Sequence, residues 1–335
     1  MRIRYSGNRP RLSAAFAFIL ILAPFAASNA AGADDGLKGW MITLDYALTQ
    51  PGGLDQHFAT HVDASSNPIV TERMIIENDP AAAGRASVGY RFGGPLGSLR
   101  LSYWSFENDD QQAGTLIGGV YPTITGYTYG GGMYIFSATG VTYTASSRVK
   151  AGTLDLDYLR SVPISSKFAA KFLAGMRFAR YEEDEEFTGN DGVSDYFQGK
   201  HLESNGGGFR IGSGAEFGLS RHFSLEAELA VAFLLARSEG LGTAIFPSGV
   251  VHHISGEDDH VRGTIWDYDV KGVWKFRNFD YFLGFSGADW EGLTGDPVPA
   301  GGCCSGSLAP DHTSRQTVTF TSIHAGLLWR IGRRR

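Results

Sequence analysis

The chain has 335 residues, a formal net charge of −6, 45 glycines, 13% aromatic residues and two cysteines. This acidic balance excludes nucleic acid as the natural partner, because phosphate binding needs a basic footprint, and two cysteines are too few for a disulfide-stapled scaffold. Abundant glycine together with aromatic rings suits a β-barrel, in which rings pack on the outer wall and glycine relieves crowding at bends.

Residues 1–30 read as an export signal. Arg2, Arg4, Arg9 and Arg11 form a basic start, Leu12 to Ala27 is almost wholly apolar, and Ser28-Asn29-Ala30 offers small residues for cleavage. The run is short for a spanning helix and no later run is longer, so a membrane-embedded chain would cross as strands. Losing the four arginines of the signal takes the net charge from −6 to −10 and leaves about 300 residues, enough for one large barrel. No cysteine follows the cleavage region, which argues against a lipid anchor. The organisation expected is a short periplasmic segment over 31–39, a barrel over 40–332 and a basic tail over 333–335.

From residue 40 onward, apolar residues recur at every second position. The runs are Trp40 to Leu48, Ala86 to Phe92, Leu99 to Tyr103, Leu154 to Tyr158, Phe168 to Phe178, Phe209 to Leu219, Phe223 to Leu235, Trp266 to Phe276, Phe279 to Phe285 and Ile323 to Trp329. A period of two puts the apolar members on one face and the interleaved charges on the other, which is the signature of a strand.

Tight links at Gly93–Ser98, Val162–Ser166, Leu219–His222 and Phe276–Asn278 alternate with long segments at 50–84, 108–142, 183–203, 238–260 and 291–316. Short periplasmic turns and long extracellular loops mark a transmembrane barrel. We therefore expect an all-β, antiparallel up-and-down barrel of 10 strands. The alternatives are eight strands, or twelve if Gly114 to Gly140 adds two; an extended hairpin outside the membrane is the better reading of that segment. A soluble sandwich would bury the apolar face instead. Runs that can supply the 9–11 residues a bilayer needs, and rings at strand ends (Trp40, Tyr46, Tyr90, Tyr103, Tyr158, Trp266, Trp274, Phe276, Trp329), favour the membrane arrangement.

The stretches Phe168 to Arg180 and Gly206 to Leu235 look like hairpins of bacterial outer-membrane barrels. The layout of residues 40 to 332 most resembles the Legionella-type major outer membrane protein family, which is regarded as pore-forming. The resemblance implies a Gram-negative outer membrane with loops at the cell surface. It also implies dealings with lipid and lipopolysaccharide, the barrel assembly machinery, periplasmic chaperones, and small solutes or ions. Such barrels usually end on an aromatic residue, whereas this chain ends Trp329-Arg-Ile-Gly-Arg-Arg-Arg335. Either Trp329 takes that role or assembly differs.

With the apolar face on lipid, the lumen is lined by Arg91, Arg100, Lys171, Arg177, Arg210, Lys271 and Lys275 against Asp155, Asp157, Glu216, Glu226, Glu228, Asp267 and Asp269. Such charges need partners or water. A narrow pore for small hydrophilic solutes is the leading expectation; a plugged, non-conducting surface barrel with a structural or adhesive role is the alternative. Glycines 206, 208, 212, 214 and 218 thin one wall, as a pore would want, or merely ease strand bending.

Catalysis is the weaker reading. The omptin proteases also have ten strands, with acidic and Asp/His pairs at the rim; here Asp109-Asp110 and Asp259-His260 would have to converge around one water. Ser322 and His324 share a strand face assigned to the lumen and lack a third group to orient them as a lipid deacylase pair. Glu182 to Glu186 with Asn190, Asp191 and Asp195 lacks calcium-loop spacing and reads as a solvated acidic loop. Histidines 201, 252, 253, 260 and 312 have no zinc spacing, and Cys303-Cys304 are adjacent and poorly placed to staple the fold. No phosphate loop, dinucleotide or haem motif appears, so no metal and no cofactor is expected.

Overall fold

The computed structural model describes residues 38–53, 56–63, 70–76, 78–93, 96–122, 135–245, 249, 251–276, 278–294 and 317–333. The export signal, Cys303-Cys304 and His312 lie outside the described residues.

The described chain is all strand apart from its turns, and none of its segments is a membrane-crossing helix. Twelve strands are present: β1 (Lys38–Gly52), β2 (Gln56–Asp63), β3 (Val70–Ile76), β4 (Ala81–Arg91), β5 (Ser98–Pro122), β6 (Ile135–Pro163), β7 (Phe168–Asn190), β8 (Asp195–Gly218), β9 (Phe223–Ile245), β10 (Val251–Lys275), β11 (Phe279–Glu291) and β12 (Thr317–Arg333). Each neighbour pair is antiparallel. Ten of them, β1 and β4 to β12, close on themselves through β5–β6 and β1–β12, which leaves the wall without an edge. The barrel thus has the expected ten strands. It begins at Lys38 and ends at Arg333, slightly beyond the expected 40–332.

The two faces separate as the alternation requires. Leu44, Tyr46 and Leu48 of β1 are 53–65% exposed on the outer wall, while the interleaved Ala47 and Thr49 are buried. The same split holds for Leu154, Leu156 and Tyr158 against Asp155 and Asp157. The rings Trp40, Tyr46, Tyr103, Tyr158, Trp266, Trp274, Phe276 and Trp329 all stand exposed outside, where an interfacial girdle belongs. Trp329, paired with Ile42 and Phe279, sits near the end of the closing strand.

The long segments depart from expectation. Among the described residues, strand occupies 108–122, 135–142, 183–190, 195–203, 238–245 and 251–260. Strands β5 to β10 have 25, 29, 23, 24, 23 and 25 residues, more than twice the 9–11 that cross a bilayer. Most of 108–142, 183–203 and 238–260 is therefore wall, not loop. Beyond the lipid the outer face no longer needs apolar side chains, so the alternation fades although the hydrogen-bond ladder continues. The segment 50–84 contributes β2 and β3, a hairpin that pairs with the top of β5 from Ala59↔Pro122 to Val62↔Gly119. The stretch Glu182 to Glu186 is likewise strand rather than solvated loop: Glu183 and Glu185 point inward and are buried, and Glu182 accepts a hydrogen bond from Lys150 at 2.8 Å.

The interior is filled at three levels. Nearest the periplasmic turns it is ionic. Above that sits a cluster of Trp290, Phe320, Phe106, Tyr181, Leu202, Ile265 and Leu293, with Phe320 meeting Phe106 and Trp290 edge-on at 5.2 and 5.7 Å between ring centres. At the top, Phe58 of β2 stacks on Phe187 at 6.1 Å and packs on Tyr143 at 5.7 Å, with Val120, Val141 and Met74 around them. Edge-on rings and full burial give these levels the packing of a soluble core.

Candidate functional site

The charges on the inner faces meet one another across the lumen. At the lowest level, Lys171 of β7 lies 3.1 Å from Glu216 of β8 and 2.9 Å from Glu226 of β9. Lys275 of β10 also donates to Glu216, and Arg330 pairs with Asp280.

One level up, three arginines form the centre. Arg177 grips Asp155 through two parallel hydrogen bonds, Nε at 2.6 Å and Nη2 at 2.7 Å, and reaches Asp267 of β10 at 2.8 Å. Arg210 of β8 donates to Asp157 at 2.6 Å and to Asp267 at 3.0 Å, and stands 3.8 Å from Glu228. Arg100 of β5 bonds Asp157 at 3.1 Å and approaches Glu228 of β9 at 3.8 Å. These links join β5 to β9 and β7 to β10, so they run through the middle of the barrel and not merely along its wall. The side chains of Asp157, Arg177 and Arg210 are 0%, 4% and 6% exposed. Two-pronged Arg–carboxylate geometry is what makes such burial tolerable, because a charge left unpaired at low dielectric is strongly destabilising.

Beside this centre, Lys271 donates to Asp269 at 2.6 Å, and His324 of β12 lies between Asp45 of β1 and Asp269 of β10 at 3.1 and 3.0 Å. Thr49 and Ser322 share a hydrogen bond at 2.7 Å immediately above. Two small cavities lie here, about 30 Å³ against Arg85, Arg177, Asp267 and Trp104, and about 10 Å³ against Asp45, Arg85 and His324. That is room for a water or two and no more.

Of the residues expected to line the lumen, all but Arg91 take part in this network. Arg91 lies at the periplasmic end of β4, with no ion pair among the described residues. Asp45, Asp280 and Arg330 also belong to the network and were not among the expected residues, His324 joins it from the strand face already assigned to the lumen, and Arg85 lines both cavities beside it. Four of them carried the right signal, a charge or a histidine alternating with outward apolar residues, as in Leu44-Asp45-Tyr46 and Ile323-His324-Ala325. Arg85 lies just before the alternation of β4 becomes visible.

The rim residues do not converge. Asp110 accepts from the Asp79 amide at 3.1 Å and from Asn108 at 2.7 Å. Asp109 is exposed and registers with Arg148. Asp259 pairs with Arg237 at 3.3 Å, and Asp259-His260 occupies a bulge between Asp258 and Val261. Among the described residues no hydrogen bond or ion pair joins the two groups, and no three His, Cys, Asp or Glu side chains are placed to hold a metal. The glycine row of β8 does not open the wall either. A Cβ on Gly208 would come within 1.8 Å of the Phe233 carbonyl oxygen, and one on Gly214 within 2.5 Å of that of Ala227. These glycines let β8 lie tightly against β9.

A closed ten-stranded antiparallel wall, apolar outside and ionic within, defines the class: an outer-membrane β-barrel. The sequence model described as Legionella pneumophila major outer membrane protein precursor matches residues 37–261, more than half of the chain, and the protein belongs to that family. It therefore resides in the outer membrane of a Gram-negative bacterium, with its loops at the cell surface. No curated protein matches its sequence. Among solved structures, it is similar to the outer membrane protease OmpT from Escherichia coli, with 9% identity over 88% of this chain and 97% of that one and a TM-score of 0.48. The toluene transporters TodX of Pseudomonas putida and TbuX of Ralstonia pickettii are also similar. Each is 9% identical, covering 89% and 88% of this chain and 91% and 90% of theirs, with TM-scores of 0.36 and 0.26.

Proposed function

We propose that this protein is a non-enzymatic outer-membrane barrel whose lumen is sealed at neutral pH, and which serves as a rigid stalk presenting its tall β-walled extension at the cell surface. The observation that carries this reading is the set of ion pairs through the middle of the barrel, Arg100–Glu228 and Arg177–Asp267 above all, roofed by the buried rings of Trp290, Phe106 and Phe320. A hydrophilic solute would have to displace both layers. The geometry thus favours the non-conducting alternative over the narrow pore that the balance of charges first suggests.

A narrow pore remains the second reading, on a specific ground: below the rings the lining is ionic and compatible with water, so exchange of ion-pair partners there would open a wet path. Single-channel recording of the detergent-folded protein in a planar bilayer separates the two. Sealed barrels give no resolved steps at neutral pH. Reproducible steps whose size follows the salt concentration would overturn the sealed reading and restore the pore.

A further inference from the structure

The central ionic level holds six carboxylates (Asp45, Asp155, Asp157, Glu228, Asp267, Asp269) against Arg100, Arg177, Arg210 and Lys271, with Arg85 lining the cavities beside Asp45 and Asp267 as a fifth cation. One positive charge is missing. His324 is the residue placed to supply it: its Nδ1 lies 3.1 and 3.2 Å from the two oxygens of Asp45, and its Nε2 lies 3.0 Å from Asp269. A carboxylate only accepts, so an ionised group at each ring nitrogen requires an N–H at each. The ring that satisfies both is the imidazolium.

The alternative, a neutral ring facing one protonated carboxyl, has the same net charge. It places the proton on the weaker base, since a free imidazole holds a proton more tightly than a free carboxylate by about 2.6 pH units. The surroundings favour the ring as well. Lys271 sits on the far side of Asp269 and beside Glu228, Arg85 shares a cavity with Asp45 and His324, and next to the ring β11 presents Phe282 at 5.8 Å and Gly284, its inward charge Asp280 being paired with Arg330 nearer the turns. Gly284 is needed there, because a Cβ would stand 2.7 Å from Nε2.

We infer that His324 is the proton-dependent keystone of the lumen: as the imidazolium it neutralises and ties β1, β10 and β12 together, and its deprotonation leaves Asp45 and Asp269 facing an uncharged ring and loosens the seal. Histidine suits this role because it is the side chain whose ordinary charge change lies nearest neutral pH. The inference deepens the sealed-barrel reading and rests on it.

The test uses the folded full-length mature protein labelled with ¹⁵N-histidine. The His324 ring signals are assigned by their disappearance in His324→Asn and followed by NMR from neutral to alkaline pH, beside the thermal unfolding midpoint. We expect both ring nitrogens protonated at neutral pH, loss of one proton on alkaline titration, and a fall of the wild-type midpoint over the same interval. Asp45→Asn, which equalises carboxylates and cations without the proton, should abolish that fall and keeps the idea testable should His324→Asn fail to fold. A neutral His324 ring at neutral pH overturns the inference and leaves the sealed barrel standing. An unchanged alkaline fall in Asp45→Asn overturns it too. Bilayer recording forms the separate arm: steps that appear only at alkaline pH support the keystone, whereas wild-type steps at neutral pH with a charged ring defeat the sealed-barrel reading on which the keystone rests.

Discussion

Arg210 shows what a single inward charge does here. It contacts Asp157, whose side chain is fully buried, and Asp267. Arg210→Met keeps the length of the side chain and takes one of two arginine partners from each carboxylate, leaving Arg100 on Asp157 and Arg177 on Asp267, so its cost should lie toward the lower end of the roughly 3–5 kcal/mol typical of breaking a buried ion pair from one side. Arg180, 60% exposed beside Glu182 and Glu203 on the outer wall, should lose less than about 1 kcal/mol on replacement by Ala. Urea unfolding of the two variants in detergent makes the comparison, and equal losses would refute the assignment of the centre. At the surface, Asp191 accepts from the amides of Val193 and Ser194 at 2.9 and 2.7 Å and from the Tyr196 hydroxyl at 3.0 Å. Those backbone hydrogen bonds hold its carboxyl below the usual 3.8. Burial, with the bond to Asp191, pushes the Tyr196 phenol up to about 12. A depressed carboxyl contributes order above its unfolded value and loses it as pH falls through the folded one. The β7–β8 tip should therefore stay ordered at neutral pH and become more cleavable by an acid-active protease as the pH drops below about 3.8. Asp191→Ala should show that susceptibility at every pH.

At the scale of elements, the glycines of β8 decide how closely two strands coil. Gly208→Ala would drive a methyl into the Phe233 carbonyl, forcing β8 from β9 at a cost of about 1–3 kcal/mol or more. Gly84→Ala, with nothing within 4 Å of the new Cβ, is the control. The heat-dependent gel shift of folded barrels reads both, and an unshifted midpoint for Gly208→Ala would contradict the packing. The tall strands carry a second lesson. In β7 the alternation is plain from Phe168 to Phe178 and then lost among Glu182 to Glu186, although the strand continues to Asn190. The outer face there meets water, so acids stand on both sides and the period of two no longer shows in polarity. Only the pairing with β6 and β8 reveals that the wall goes on.

For the whole molecule, the period of two along the chain was enough to separate an apolar face from a charged one and to favour ten strands, with eight and twelve left as alternatives. These follow from a local rule, that neighbours along a strand point to opposite sides, and from the membrane's demand for an apolar outer surface. Of the fourteen charges that rule assigns to the lumen, thirteen take part in the ionic network and Arg91 does not, and Asp45 and His324 obey it equally. Only the tertiary structure shows which of the inward charges meet one another. Ion pairs such as Arg100 with Glu228 join residues 128 positions apart, and whether two such side chains meet depends on barrel diameter, stagger and the tight β8–β9 approach. The height of the wall and the apolar roof over the ions were hidden for a related reason: in the extension, burial comes from partners across the barrel, which no period along the chain can announce.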